Sequence, residues 1–200
     1  VAMIANMKEF HLVGDYCLST NGEVRTVLLV SNTPFGEINT IFLDYRSRSS
    51  VTLCRILAAK AWKREYRWLP APEEFEITAM SHGEAAVMIG DRCFEYARHF
   101  RYRLDLGLEW KKFTGLPFVF ACWVSTRPLP EEFTALFNRA LSEGLDRRNE
   151  AVSLLKEGAA ATPEEVIFYL NHNIDFRLDN GKREALSKFI DYIKELNITP

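Results

Sequence analysis

A short run of polar side chains, Ser47, Arg48, Ser49 and Ser50, separates an apolar, β-branched segment from a segment with helical periodicity. A strand-to-helix junction of this kind brings together backbone amides, serine hydroxyls and the positive end of a helix, a combination that binds anions. A carboxylate is the anion that suits it. A structural explanation is also open, in which Ser49 or Ser50 caps the helix and Arg48 is solvated.

Three further polar residues lie where a predicted element ends or turns: Thr26, Asp91 and Thr114. The Thr26 hydroxyl is able to hydrogen-bond a ligand, although threonine also suits a strand for its β-branched shape alone. Asp91 follows an apolar strand, so its carboxylate either meets a ligand at the strand's end or caps the next helix. Thr114 precedes a glycine that ends a helix, so its structural explanation is the more economical one and contact with a ligand is the alternative.

The composition limits the classes of partner. Twenty-five basic and 27 acidic residues give a formal net charge of -2, which argues against a nucleic-acid-binding surface. The longest apolar run, Leu116 to Val124, is far shorter than the roughly 20 residues that span a bilayer, so no membrane segment is expected. Widely spaced cysteines and scattered histidines indicate neither a disulfide framework nor a metal site. We therefore expect a small-molecule partner and no cofactor.

The polar candidates lie along an alternation of strands and helices. Apolar, β-branched runs predict strands over 24–30, 39–43, 66–69, 85–89 and 116–124. Periodic segments predict helices over 51–62, 92–99, 131–156 and 181–196, and another helix starts at Thr162, which is followed by Pro163 and Glu165. Such alternation indicates parallel strand pairing in an α/β layer fold, with ligands beyond the carboxyl ends of the strands. Trp110 and Trp123 are expected to fill the core.

The segment Asp105 to Val124, DLGLEWKKFTGLPFVFACWV, joins a tryptophan-containing helix, a Thr-Gly-Leu-Pro turn and an apolar strand. It resembles the chorismate dehydratases of the futalosine route to menaquinone, which carry such a helix, TGLPFVFA and a continuing strand. Three more segments resemble family motifs in the family's order and at about its spacing: Gly22 to Val27, Ser47 to Ser50 and Ile89 to Asp91. The resemblance covers essentially the whole chain, while about the first quarter of the family's length has no counterpart.

This resemblance implies an α/β fold of the two-lobed, periplasmic-binding-protein-like (type II) kind, with a ligand cleft between the lobes. Residues 31–118 would form the second lobe. Residues 1–30 plus 119–200 would form the first lobe, which would be incomplete at its N-terminus. An exposed lobe edge would favour a homodimer.

The resemblance also implies a function, which is the removal of water from chorismate to give 3-[(1-carboxyvinyl)oxy]benzoate. On this interpretation Thr26 is catalytic, and the protein is cytoplasmic and needs no cofactor. Six residues would bind the substrate: Ser47, Arg48, Ser49, Ser50, Asp91 and Thr114. The general base is either a residue of the absent segment or a carboxylate of the substrate itself.

Two other functions remain open on the sequence. One is a lyase like the 1,4-dihydroxy-6-naphthoate synthase of the same pathway, which shares the fold and a Thr-Gly-Leu-Pro turn; the continuation Phe118 to Ala121 favours the dehydratase instead. The other is a non-catalytic solute-binding protein, because the same cleft is able simply to close on a ligand.

Overall fold

A computed structural model describes residues 1–44, 46–72, 75–154 and 159–199. Its strands are β1 (His11–Thr20), β2 (Val27–Ser31), β3 (Thr40–Leu43), β4 (Arg67–Pro70), β5 (Glu84–Ile89), β6 (Tyr102–Asp105), β7 (Phe118–Ser125) and β8 (Asp175–Arg177). Its α-helices are α1 (Arg48–Ile56), α2 (Arg92–Tyr96), α3 (Leu106–Thr114), α4 (Glu131–Asp146), α5 (Arg148–Val152), α6 (Pro163–Phe168) and α7 (Asn180–Glu195). Two π-helical segments, Leu57–Trp62 and Tyr169–Asn173, continue α1 and α6. The fold is therefore mixed α/β.

The larger sheet has five strands in the order β4-β3-β5-β2-β6. Strand β3 is parallel to both β4 and β5, whereas β2 is antiparallel to β5 and β6. The prediction of parallel pairing is wrong for β2, which alone runs against the other four strands. The alternation of strands and helices cannot reveal this reversal, because the direction of a strand depends on which end of the sheet the chain enters from. As a result, β2 starts at the edge where β3, β5 and β6 end.

The smaller sheet is antiparallel, in the order β7-β1-β8. Strand β1 was not predicted from the sequence. Its pairing with β7 has two register shifts, and Gly14 has a φ of 71°, so the strand lacks the regular alternation of buried and exposed residues that identifies a half-buried strand. The predicted lobe boundary at residue 30 falls within β2, which belongs to the five-stranded sheet.

One hydrophobic core extends across both sheets and is centred on aromatic residues. Trp110 is fully buried, with edge-to-face contacts to Phe118 and Phe189, and its indole nitrogen donates a hydrogen bond of 2.9 Å to the Pro117 carbonyl. The prediction for Trp110 is confirmed. Trp123 is 53% exposed, so the prediction that it fills the core is wrong. Its ring makes an edge-to-face contact with Phe137 of α4 instead.

The helix predictions are confirmed in type, with shifted bounds. Helix α1 begins at Arg48, three residues before the predicted start, because Ser47 caps it. The predicted helix over 131–156 is divided after Asp146, and its last two residues lie outside the described residues. Thr162 and Glu165 form the predicted capping box. Among the described residues, no helix is long and apolar enough to cross a membrane.

Candidate active site

The topology brings several of the predicted residues to one edge of the five-stranded sheet. Ser47 follows the end of β3, Asp91 follows the end of β5, and Thr26 precedes β2. Because β2 runs antiparallel to β5, Val27 pairs with Ile89 and the Gly90 amide donates a hydrogen bond of 2.9 Å to the Thr26 carbonyl. Segments that are far apart in the sequence therefore meet at this edge.

The Thr26 side chain is 6% exposed, and its hydroxyl lies 2.8 Å from the hydroxyl of Tyr169. Tyr169 comes from the π-helical segment before β8 and also makes an edge-to-face contact with Phe94. Burial raises the pKa of the Tyr169 phenol, and the hydrogen bond with Thr26 offsets part of this effect. Tyr169 is therefore a neutral phenol at pH 7, able to donate or accept a proton in this hydrogen bond.

The loop before Thr26 is held by the carboxylate of Asp105, at the end of β6. Its Oδ2 accepts hydrogen bonds from the amides of Val24 (3.0 Å) and Arg25 (2.6 Å), and its Oδ1 accepts one from Leu108 (3.0 Å) at the start of α3. Burial raises the pKa of Asp105, and the three amides oppose that rise. Arg25 has a φ of 65°, a strained conformation that these bonds help to maintain. Asp105 thus fixes the backbone that carries Thr26.

Ser47 is the residue that caps α1, rather than Ser49 or Ser50. Its Oγ accepts a hydrogen bond of 3.1 Å from the Ser50 amide, and the two hydroxyls lie 2.9 Å apart. Ser50 is only 2% exposed. A serine of this run therefore does cap the helix, as the structural explanation proposed, but the capping residue is Ser47. The Ser50 hydroxyl accepts a hydrogen bond from the Ser47 hydroxyl.

Ser49 and Arg48 both face the first segment of the chain. The Ser49 hydroxyl accepts a hydrogen bond of 3.3 Å from the Ala2 amide and one of 2.9 Å from the amino group of Val1. The exposed Arg48 side chain directs one guanidinium nitrogen at the sulfur of Met3. A ligand carboxylate at the start of α1 would compete with these contacts.

Asp91 is exposed, and its side chain makes no capping hydrogen bond to α2, so the capping alternative has no support. Beside it, Arg92 extends towards Asp44, with 3.9 Å between the guanidinium Nη1 and the carboxylate Oδ2. Asp44 is 4% exposed and directly follows β3, as Asp91 nearly follows β5. The position of an acidic residue after a predicted strand is a signal that could have identified Asp44 as a candidate. No comparable pattern in the sequence identifies Tyr169 as a candidate.

Thr114 is separate from this edge. Its hydroxyl donates a hydrogen bond of 2.9 Å to the Trp110 carbonyl and accepts one of 3.1 Å from the Leu116 amide. With a rise of about 1.5 Å per residue, α3 carries Thr114 roughly 12 Å from the start of the helix. These bonds close the end of α3, so we leave Thr114 out of the candidate site.

A pocket of about 250 Å³ opens next to the capped start of α1, with Asp44, Ser47 and Arg48 among its walls. A larger pocket of about 700 Å³, with walls that include Tyr16, Asn173 and Arg177, contains none of the predicted site residues. Pocket size alone therefore does not select the site. We select the site by the polar and charged side chains that meet at the sheet edge.

Within the described ranges, no group of three or more His, Cys, Asp or Glu side chains is arranged to hold a metal ion.

Burial raises the pKa of Cys17 to about 11 and the pKa values of Cys54 and Cys93 to about 12. These three thiols are therefore protonated at pH 7 and are poor nucleophiles.

Comparisons with known proteins agree with the sequence motifs. A family model described as "Menaquinone biosynthesis" matches residues 1–195. A chorismate dehydratase from Thermus thermophilus is 25% identical over 201 aligned residues, which cover 90% of this chain and 72% of the relative.

Two solved structures share the fold. Protein AF1704 from Archaeoglobus fulgidus superposes with a TM-score of 0.68 at 13% identity, covering 96% of this chain and 75% of that one. An ABC transporter protein from Parabacteroides distasonis gives a TM-score of 0.60 at 18% identity, covering 97% and 70%. At these identities the likeness concerns the fold alone.

Proposed function

Because the chain belongs to the menaquinone-biosynthesis family, we propose that it is a chorismate dehydratase, a carbon–oxygen lyase that converts chorismate to 3-[(1-carboxyvinyl)oxy]benzoate. The observation that carries the proposal is the convergence of Thr26, Ser47 and Asp91 at one sheet edge, in a chain that is 25% identical to a chorismate dehydratase. The ligand cleft would lie between two lobes, with this edge as one wall. The homodimer and the cytoplasmic location stay predictions.

The reaction needs orientation more than strong acid or base chemistry. A ring carbon loses a proton, the electron pair of that C–H bond forms the new ring double bond, and the hydroxyl group leaves with a proton as water. Aromatisation supplies much of the driving force. The protein must hold two carboxylates and align the departing hydroxyl with the proton that is lost, and orientation of this kind can supply a large share of a barrier reduction.

Thr26 and Tyr169 are suited to the hydroxyl side of this reaction. When Tyr169 donates to Thr26, the Thr26 proton points at the Val24 carbonyl over a long distance of 3.5 Å, and a departing hydroxyl placed closer is a competing acceptor. Thr26 is 6% exposed, so a substrate would reach its hydroxyl only after a small displacement of Tyr169. The π-helical segment that carries Tyr169 is a backbone type that occurs often at functional sites.

The start of α1 would hold one substrate carboxylate. The positive end of the helix and the hydroxyls of Ser47 and Ser49 lie together there, beside the exposed guanidinium of Arg48. Asp91 would orient a ring hydroxyl, because its exposed carboxylate accepts hydrogen bonds and is not used as a helix cap.

The test is to incubate the purified protein with chorismate, without added metal or nucleotide, and to follow the aromatic product by chromatography and mass spectrometry. Formation of 3-[(1-carboxyvinyl)oxy]benzoate at a rate proportional to protein concentration supports the proposal. Tight chorismate binding without product would favour the solute-binding alternative. Absence of both binding and product would contradict the proposed function.

A further inference from the structure

We propose that Arg92 is a second carboxylate-binding group of this site and that Asp44 positions its guanidinium. The inference rests on the proposed function, because it concerns how the same site would recognise a substrate with two carboxylates. It adds a residue pair that carries none of the roles assigned above. Its starting point is a buried carboxylate with one oxygen that has no hydrogen-bond partner.

That carboxylate belongs to Asp44, which is 4% exposed at the end of β3. Its Oδ1 accepts a hydrogen bond of 2.9 Å from the Arg46 amide. Its Oδ2 is buried and, within the described part of the chain, accepts none. A buried anionic oxygen in this state is costly unless a cation lies nearby, and Arg92 supplies one at 3.9 Å. The charge of Asp44 thus constrains where the Arg92 guanidinium lies.

Two contacts hold the Arg92 guanidinium in place without using its hydrogen-bond donors. Its guanidinium lies 6.0 Å from the ring centroid of Tyr96, and its side chain is 31% exposed. Among the described residues it donates no hydrogen bond, although a guanidinium carries five N–H donors in a planar fork. Such a fork matches the two oxygens of a carboxylate, and its geometry is most effective when the side chain is already oriented.

The position of Arg92 suits a second carboxylate. Arg92 follows β5, the capped start of α1 follows β3, and these two strands are direct neighbours in the sheet. Neighbouring strands are about 4.8 Å apart, so the two anion-binding groups follow adjacent strands at the same edge of the sheet, as recognition of a small dicarboxylate requires. Asp44 is close to both groups, because it lies three residues before Ser47 in the sequence and 3.9 Å from Arg92 in space.

The first test measures equilibrium binding of 3-[(1-carboxyvinyl)oxy]benzoate by calorimetry, because this product keeps both carboxylates and is not turned over. We expect Arg92→Gln to weaken binding roughly tenfold to a hundredfold, the effect of losing a charge-assisted pair of hydrogen bonds. Arg92→Lys should recover part of the loss. Arg98→Gln, a change at an exposed arginine six residues further along, is the matched control and should stay within about twofold.

The positioning role of Asp44 is tested by a double-substitution cycle with Asp44→Asn. We expect this change to weaken binding when Arg92 is present and to have little effect in the Arg92→Gln background, because Asp44 acts through Arg92. A purely structural role would give the same loss in both backgrounds. Since Arg92 is partly exposed, the Arg92 variants decide the inference even where an Asp44 variant does not fold.

Two outcomes would overturn the inference, and they are distinguishable. In the first outcome, the unaltered protein converts chorismate and Arg92→Gln binds the product as tightly as the unaltered protein does. Arg92 is then not a carboxylate-binding group, while the proposed function stands. Should the unaltered protein neither convert chorismate nor bind the product, the proposed function fails and this inference fails with it.

Discussion

The hydroxyls of Thr26 and Tyr169 lie 2.8 Å apart, although 143 positions separate them in the sequence. The bond joins the start of β2 in the five-stranded sheet to the π-helical segment that precedes β8 of the smaller sheet. A residue chosen from a sequence motif thus has a partner that no motif identified. This pair is the centre of the candidate site, and it can be tested directly.

Removal of the Thr26 hydroxyl should slow the reaction with little loss of structure. We expect Thr26→Val to lower kcat/KM for chorismate on the order of tenfold to a hundredfold, because valine keeps the β-branched shape and loses the hydrogen bond. Thr40→Val is the matched control, since Thr40 is another buried threonine of the same sheet but lies at the start of β3, on the opposite edge. Unchanged turnover in Thr26→Val would remove Thr26 from the mechanism.

Tyr169→Phe should reproduce the Thr26→Val defect, because both changes remove the same hydrogen bond. Phenylalanine keeps the ring contact with Phe94, whose centroid lies 5.6 Å away, so we expect the free energy of unfolding to fall by only about 1 kcal/mol. The double variant should be scarcely slower than either single one. Fully additive losses in kcat/KM would show that the two hydroxyls act independently.

Trp110 and Trp123 should differ sharply in their effect on stability. We expect Trp110→Ala to lower the free energy of unfolding by about 3–5 kcal/mol, because Trp110 is fully buried in the core that both sheets share. Trp123→Ala removes the same side chain from a site that is 53% exposed and should cost far less. Denaturant unfolding of both variants measures the difference, and equal losses would contradict the assignment of the core.

Asp179 should make stability depend on pH. Its pKa is lowered mainly because Lys182 Nζ donates a hydrogen bond of 2.7 Å to its carboxylate. The charged form therefore stabilises the fold above the unfolded pKa of about 3.9, and that contribution is lost as the pH falls through the lower folded value. We expect Asp179→Asn to melt at a lower temperature than the unaltered protein at pH 7, with the gap closing in acid.

The size of that gap should be modest, because the Asp179 side chain is 57% exposed and solvent screens the pair. Asparagine also caps helices well, so the substitution removes the charge while keeping the cap of α7. Asp191→Asn, which removes one carboxylate from an exposed position of the same helix, is the matched control. A gap that is constant from pH 7 to acid would show that the charge is unimportant.

Local features were predictable because they depend on neighbours in the sequence. The Thr162 capping box joins a side chain to an amide three residues away, and the periodicity after Ser50 identifies a helix without knowledge of its partner. The strands over 40–43 and 84–89 are apolar, β-branched or alanine-rich runs that end at turn residues. Their order along the chain is sufficient to indicate a mixed α/β fold.

The sequence by itself determined many of the elements, their order and the family motifs, whereas only the tertiary structure revealed strand β1 and decided how the elements meet. The reversed direction of β2, the exposure of Trp123 and the cap on Ser47 each depend on the chain's path through space. The pairs Thr26–Tyr169 and Asp44–Arg92 depend on it as well. The physical reason is that strand direction and long-range contacts are selected by burial of one shared core, which no local window of sequence contains.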